Sequence, residues 1–141
     1  MLQLKNILFP LLLLLSIPTV FAKSPGDDWV LVATTDDNMK VYVNLNIKKS
    51  DSYTTQFRVW ILYQLPASRK LYKNIYYKEC KDFLEFDSDF TEYETLSSVY
   101  YNKKGNVVYS ADRSYTTDYV VPGTVMDAVA RFARTYVAYT Y

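Results

Sequence analysis

A single stretch of this chain carries the period of a helix. Over residues 120–137 (VVPGTVMDAVARFARTYV), Val125, Val129, Phe132 and Tyr136 fall at steps of four, three and four. That spacing sets them on one side of a helix with 3.6 residues per turn. Met126, Ala130, Ala133 and Val137 widen the apolar stripe. Pro122 and Gly123 break whatever precedes it, and Thr124 is a capping residue whose hydroxyl can accept from a free N–H one turn on. Asp127 follows three residues later, placed to bond back to the cap and to meet the positive helix end. Arg131 and Arg134 fall late in the helix, where cations suit the negative end. One helix with a broad apolar face needs a sheet to lie on.

The remainder reads as that sheet. The chain has 3 glycines, and all sit at boundaries: Gly26, Gly105 and Gly123. Regular elements are expected between them. Residues 29–35 and 39–45 alternate as two strands around a turn at Asp36, Asp37 and Asn38. Residues 46–52 are polar and turn-like, with one helical turn expected near Ile47. Residues 53–65 form the strongest strand, rich in β-branched and aromatic side chains. Residues 66–70 read as a loop. Residues 72–86 are ambiguous, with a strand near the middle that continues through 83–86. Residues 93–102 and 107–111 read as a hairpin turning at Lys103, Lys104, Gly105 and Asn106, and 110–119 as a polar loop. Strands first and one helix last mean an α+β fold: a single, mainly antiparallel β-sheet of about six strands, one face covered by the C-terminal helix.

Residues 1–22 have the pattern of an export signal. Lys5 supplies the positive start, residues 7–15 are almost wholly apolar, and Val20, Phe21 and Ala22 suit cleavage after Ala22. Residues 23–141 are then one domain. No later segment is long and apolar enough to span a bilayer, and no Cys near the cleavage site offers a lipid anchor. The expected location is past the inner membrane: periplasmic, or secreted to the cell surface. Lys5 is the one charged residue of the signal, so its loss brings the 16 basic residues to parity with the 15 acidic ones. That balance argues against nucleic acid as a partner.

The sequence shows no catalytic, cofactor or metal constellation. There is no His, the commonest general base and transition-metal ligand. The lone Cys80 can form no internal disulfide; Lys78 and Lys81 beside it would favour a thiolate, but no base accompanies it. Glu85, Asp87, Asp89 and Glu92 form an acidic cluster without the glycine-bearing turn of a calcium loop, and a solvated loop is the expected reading. A small hydrolase using these carboxylates is the remote alternative. The chain is rich in aromatics, with 15 Tyr, a residue type that suits both strands and protein-binding surfaces. The most suggestive stretch is RKLYKNIYYKECK. There Arg69, Lys70, Lys73, Lys78 and Lys81 interleave with Tyr72, Tyr76 and Tyr77, a mixture that can engage acidic protein segments or glycans through charge, stacking and cation–π contact.

Three stretches together resemble the surface-adhesin protein E family of Gram-negative bacteria. These are WVLVATTDDNMKVYVNLNIKK; YKN, EFDS, YETLSSVYY and KGNVVYS in order; and VPGTVMDAV. They cover most of residues 29–134. Asn44 stands where that family usually has Asp. The resemblance implies an antiparallel sheet with a packed C-terminal helix. It implies adhesion to host matrix and plasma proteins such as vitronectin, laminin and plasminogen. It also implies a cysteine pair that this chain lacks: Ser88 stands at the first position, and no Cys lies near Ala133 and Arg134. The expected function is therefore an exported, non-enzymatic binding protein. The alternative is a resident periplasmic protein of housekeeping or stress role with no host ligand.

Overall fold

The alternating pattern pairs strands in chain order, and the pairing fixes where every later feature can sit. A computed structural model describes residues 25–51 and 55–141. The export segment expected over residues 1–22 and the beginning of the strand expected from Tyr53 lie outside the described residues. The elements are β1 (Trp29–Thr34), β2 (Lys40–Asn44), β3 (Lys48–Lys49), β4 (Phe57–Tyr72), β5 (Ile75–Phe86), β6 (Glu92–Tyr101), β7 (Val107–Ala111), β8 (Thr117–Tyr119) and α1 (Val125–Thr140). The sheet runs β1-β2-β4-β5-β6-β7, and each neighbouring pair is antiparallel. Two short strands complete the edges: β3 pairs with β4 beyond the end of β2, and β8 pairs with β6 beyond the end of β7.

Alternation divides the sheet into two unlike faces. Val41, Val43, Phe57, Val59, Ile61, Leu84 and Phe86 share one face with Val129, Ala130 and Ala133 of α1. Each fully buried aliphatic side chain there contributes about 1.5–3 kcal/mol. The helix lies over β1 and β2. Tyr42, Leu62 and Lys81 occupy a row on the other face. On that face Trp60 stacks on Phe83 at 4.5 Å, and Lys81 Nζ lies 5.7 Å from the ring of Trp29 and 5.2 Å from that of Tyr101.

The cap of α1 forms as its sequence dictates. Thr124 is extended, and its Oγ1 accepts from the Asp127 N–H at 3.3 Å. The Asp127 carboxylate bonds back one residue further than a capping box requires, accepting from the Gly123 N–H at 3.0 Å. Arg131 does not serve the helix C-terminus. The helix runs on to Thr140 with no basic residue in its last turn. Arg131 instead binds Asp127 at 2.6 Å, one turn back, so both charges support the N-terminal half.

Several expectations are overturned. Residues 66–70 are strand, not loop: β4 continues through Pro66, whose missing N–H is absorbed where the register shifts between Gln64 and Arg69. Thr55 and Gln56 precede the strand instead of opening it. Residues 75–86 form one uninterrupted strand. The helical turn expected near Ile47 is absent; Ile47 is buried, and β3 follows it. Residues 117–119 are strand within the expected loop, and the Arg113–Glu94 ion pair ties the preceding segment to β6.

The turn after β5 carries an unusual residue. Phe90 has φ 56° and is buried. A left-handed backbone costs an ordinary residue roughly 1–2 kcal/mol. Burial of the ring, stacked 5.5 Å from Phe57 and lying 5.2 Å from Phe86, offsets this. Phe90 and Thr91 line a shallow notch together with Ala130 and Arg134 of α1.

Candidate functional site

The register shows where β4 and β5 leave the sheet. The last β2 partner on β4 is Gln64, facing Lys40, and β6 first meets β5 at Glu79, facing Tyr101. Between these points β4 and β5 pair with each other alone: Arg69 with Tyr77, Lys70 with Tyr76, and Tyr72 with Ile75. Residues 65–78 are thus a two-stranded arm extending past the sheet. Its sequence carries Arg69, Lys70, Lys73 and Lys78 and no carboxylate. A free hairpin of two strands is marginal in water, so its base must be anchored. Leu65 is buried there, Arg69 bonds Asp37 in the β1–β2 turn at 3.0 Å, and Tyr77 meets Tyr100 edge-on at 5.0 Å. Asp37 also accepts from the Thr35 hydroxyl. This bond and the arginine hold the Asp37 carboxyl below its ordinary value.

The residues singled out in the sequence therefore separate. Lys70, Tyr72, Lys73 and Tyr76 stand exposed along the outer arm, with Tyr72 59% and Tyr76 50% accessible. The Lys73 ammonium lies 5.2 Å from the Tyr72 ring. Lys73 itself turns the chain with φ 46°, a region that side-chain-bearing residues avoid. Arg69 and Tyr77 fasten the base, and Lys78 lies beside it. Lys81 is not part of the arm. It sits inside the main sheet between Trp29 and Tyr101, three residues beyond Lys78, or roughly 10 Å along the strand.

The sequence reading missed a polar cluster inside the sheet. Cys80, Asp82, Leu84 and Phe86 alternate inward along β5, so Asp82 shares the helix-side face. That period-two spacing was the available signal. Ser98 Oγ donates to Asp82 Oδ1 at 2.7 Å, and the Cys80 thiol donates to the same oxygen at 3.4 Å. Tyr63, Tyr93 and Tyr100 lie close enough to feel the charge. Burial pushes Asp82 above the ordinary aspartate value, against the bonds from Ser98 and Cys80. Burial, and then Asp82, push the Cys80 thiol up, opposite to the effect expected of Lys78 and Lys81. A buried thiol held protonated is a poor nucleophile.

The raised Asp82 value has a testable sign. The folded state binds this proton more tightly than the unfolded chain, so the contribution is fully present below the ordinary value of 3.8. It is lost as pH rises through the raised one. Asp82→Asn keeps an acceptor for Ser98 and removes the charge. At pH 7 the variant is expected to be more stable than the parent by about 0.5–2 kcal/mol, with the gap closing toward pH 3. Urea titrations across that range measure it, and a gap independent of pH would show that Asp82 does not titrate there.

Within the acidic cluster, Asp87 scaffolds the turn after β5. Asp87 accepts from the Thr91 N–H at 2.8 Å, the Thr91 hydroxyl at 2.7 Å and the Glu92 N–H at 3.0 Å. Burial raises it, but the bonds from Glu92 and Thr91 outweigh burial and hold it below the usual range. Glu85 is likewise held down by Ser50 and Arg58, against burial.

The surface-adhesin protein E family model matches residues 29–133, from the start of β1 into the middle of α1. No curated protein matches the chain.

Proposed function

Since the chain belongs to the surface-adhesin protein E family, we propose that it is an exported, non-enzymatic protein that binds host matrix or plasma proteins through the β4–β5 arm. The observation that carries this reading is the arm itself, a cationic hairpin without a carboxylate that reaches beyond the sheet. Exposed tyrosines beside exposed lysines suit a protein interface. Tyrosine supplies large contact area at low entropic cost, and lysine supplies steering toward acidic surfaces. The anchored base and the left-handed Lys73 keep the tip presented, which limits the ordering cost of association. Among the described residues no helix is long and apolar enough to cross a membrane.

Two measurements test the proposal. Lys70→Glu with Lys73→Glu, and separately Tyr72→Ala with Tyr76→Ala, are expected to weaken binding to immobilised vitronectin or laminin by about tenfold or more. The melting temperature should hold, because all four side chains are exposed. Unchanged binding would remove the arm from the interface. Cell fractionation tests the location: a protein confined to the periplasm cannot meet host matrix, and that result favours the resident periplasmic role.

A further inference from the structure

We infer that a second site, a cleft beside the base of the arm, binds sulfated glycan. The cleft has a volume of ≈ 720 Å³. Four lysines from three separate elements line it: Lys40 from β2, Lys78 from β5, and Lys103 and Lys104 from the β6–β7 turn. Glu79 is the one carboxylate among the described residues that line it. No ion pair engages any of these four lysines among the described residues. In a chain whose formal net charge is +1, this is a local concentration of uncompensated cations, and a concave site focuses their field.

The chemistry of the lining selects the ligand. No aromatic ring is among the described lining residues, so the stacking platform that single-stranded nucleic acid needs is missing. No arginine is among them either, so the planar fork that grips carboxylate or phosphate bidentately is absent. Lysines act as separated point charges. Point charges spread around an open cleft match an anion whose charges are themselves spread singly, as sulfates are along a sugar chain. Asn102 adds neutral donor capacity for sugar hydroxyls. Its Oδ1 already accepts the Lys104 and Asn106 N–H groups at 3.0 Å, which leaves the amide NH₂ as the part it can offer. This site does not depend on the arm as a protein interface: Leu65, Pro66 and Lys78 at the arm's base line the cleft, and of its four lysines Lys78 alone belongs to the arm.

The test uses the purified full-length exported protein and a heparin octasaccharide, followed by calorimetry at several salt concentrations. Lys103→Glu with Lys104→Glu lies in an exposed turn and should leave the fold intact. It is expected to weaken octasaccharide binding by about tenfold or more and to flatten its salt dependence. Lys48→Glu with Lys49→Glu makes the same charge change at the far end of β4, where Lys48 faces Arg58. That is roughly 20 Å from Gln64, beyond the Debye length at physiological salt. This control should bind within about twofold of the parent. Equal losses in both variants would reduce the effect to overall charge and overturn the site. Equal binding of the octasaccharide stripped of sulfate, or tighter binding of polyglutamate or a thymidine oligonucleotide, would overturn the ligand class. No binding by the parent protein would overturn the proposal outright.

Discussion

Replacing Phe86 with Ala is expected to lower folding stability by about 3–5 kcal/mol. Phe86 is fully buried and lies where strands, turn and helix meet. Its ring sits 5.2 Å from Phe90 and 5.6 Å from Tyr93, while Phe57, its partner across β4–β5, stacks on Phe90 at 5.5 Å. Truncation opens a cavity against strand backbones that cannot collapse into it, so the cavity penalty adds to the lost transfer energy. It also removes a support from Phe90, whose left-handed backbone depends on keeping its ring buried. Small domains have about 5–15 kcal/mol in total, so this variant would be near its folding threshold. Urea denaturation measures the loss. The control is Phe83→Ala on the opposite face, where the ring stacks on Trp60 but stays partly exposed; it should cost clearly less. Equal losses would mean that the two faces are buried alike.

The same turn bears on the cysteine pair that the resemblance implies. Ser88 and the helix near Ala133 and Arg134 are the positions the resemblance implies for it. The structure brings that part of the chain together: Phe90 and Thr91 line one notch with Ala130 and Arg134. In this chain the turn is held to the core by aromatic packing, and its cysteine, Cys80, is a free thiol in another part of the sheet.

What the sequence displayed follows from which signals are local. The capped helix and the hairpins β1–β2 and β6–β7 rest on period and turn chemistry within a few residues, and they emerged with their ends nearly right. The register shift at Pro66 was not visible, because whether a proline ends a strand or is absorbed in a bulge depends on the partner strand. β8 was missed for the same reason: three exposed residues are a strand solely because β6 offers an edge. The arm was half visible. Its basic and aromatic character was plain in the sequence, but its projection depends on where β2 and β6 stop pairing. Lys81 adjoins the arm in sequence, while the sheet places it between two rings on the face away from the helix.

The helix gives the second large effect. Of the stripe Val125, Val129, Phe132 and Tyr136, Val129 is fully buried, with Ala130 and Ala133 of the widened stripe buried beside it. Val125, Phe132 and Tyr136 pack against the core partly buried, and the Phe132 ring stacks 6.2 Å from Tyr136. The seam runs between the two stripes, and small side chains at its centre let the helix axis approach β1 and β2 closely. Ala133→Leu is therefore expected to destabilise the fold by about 1–3 kcal/mol through overpacking. Leu and Ala have nearly equal helix propensity, so the change reports packing and not local helix strength. Arg134→Leu, one position on and exposed, is the matched control and should stay within about 0.5 kcal/mol of the parent. Phe132→Ala should fall short of the roughly 3–5 kcal/mol of a fully buried ring, because part of its surface already meets water. Urea unfolding of the three variants decides the order. If Ala133→Leu is neutral while Phe132→Ala carries the full core penalty, the helix rests on its aromatic stripe after all, rotated from the seam at Ala133.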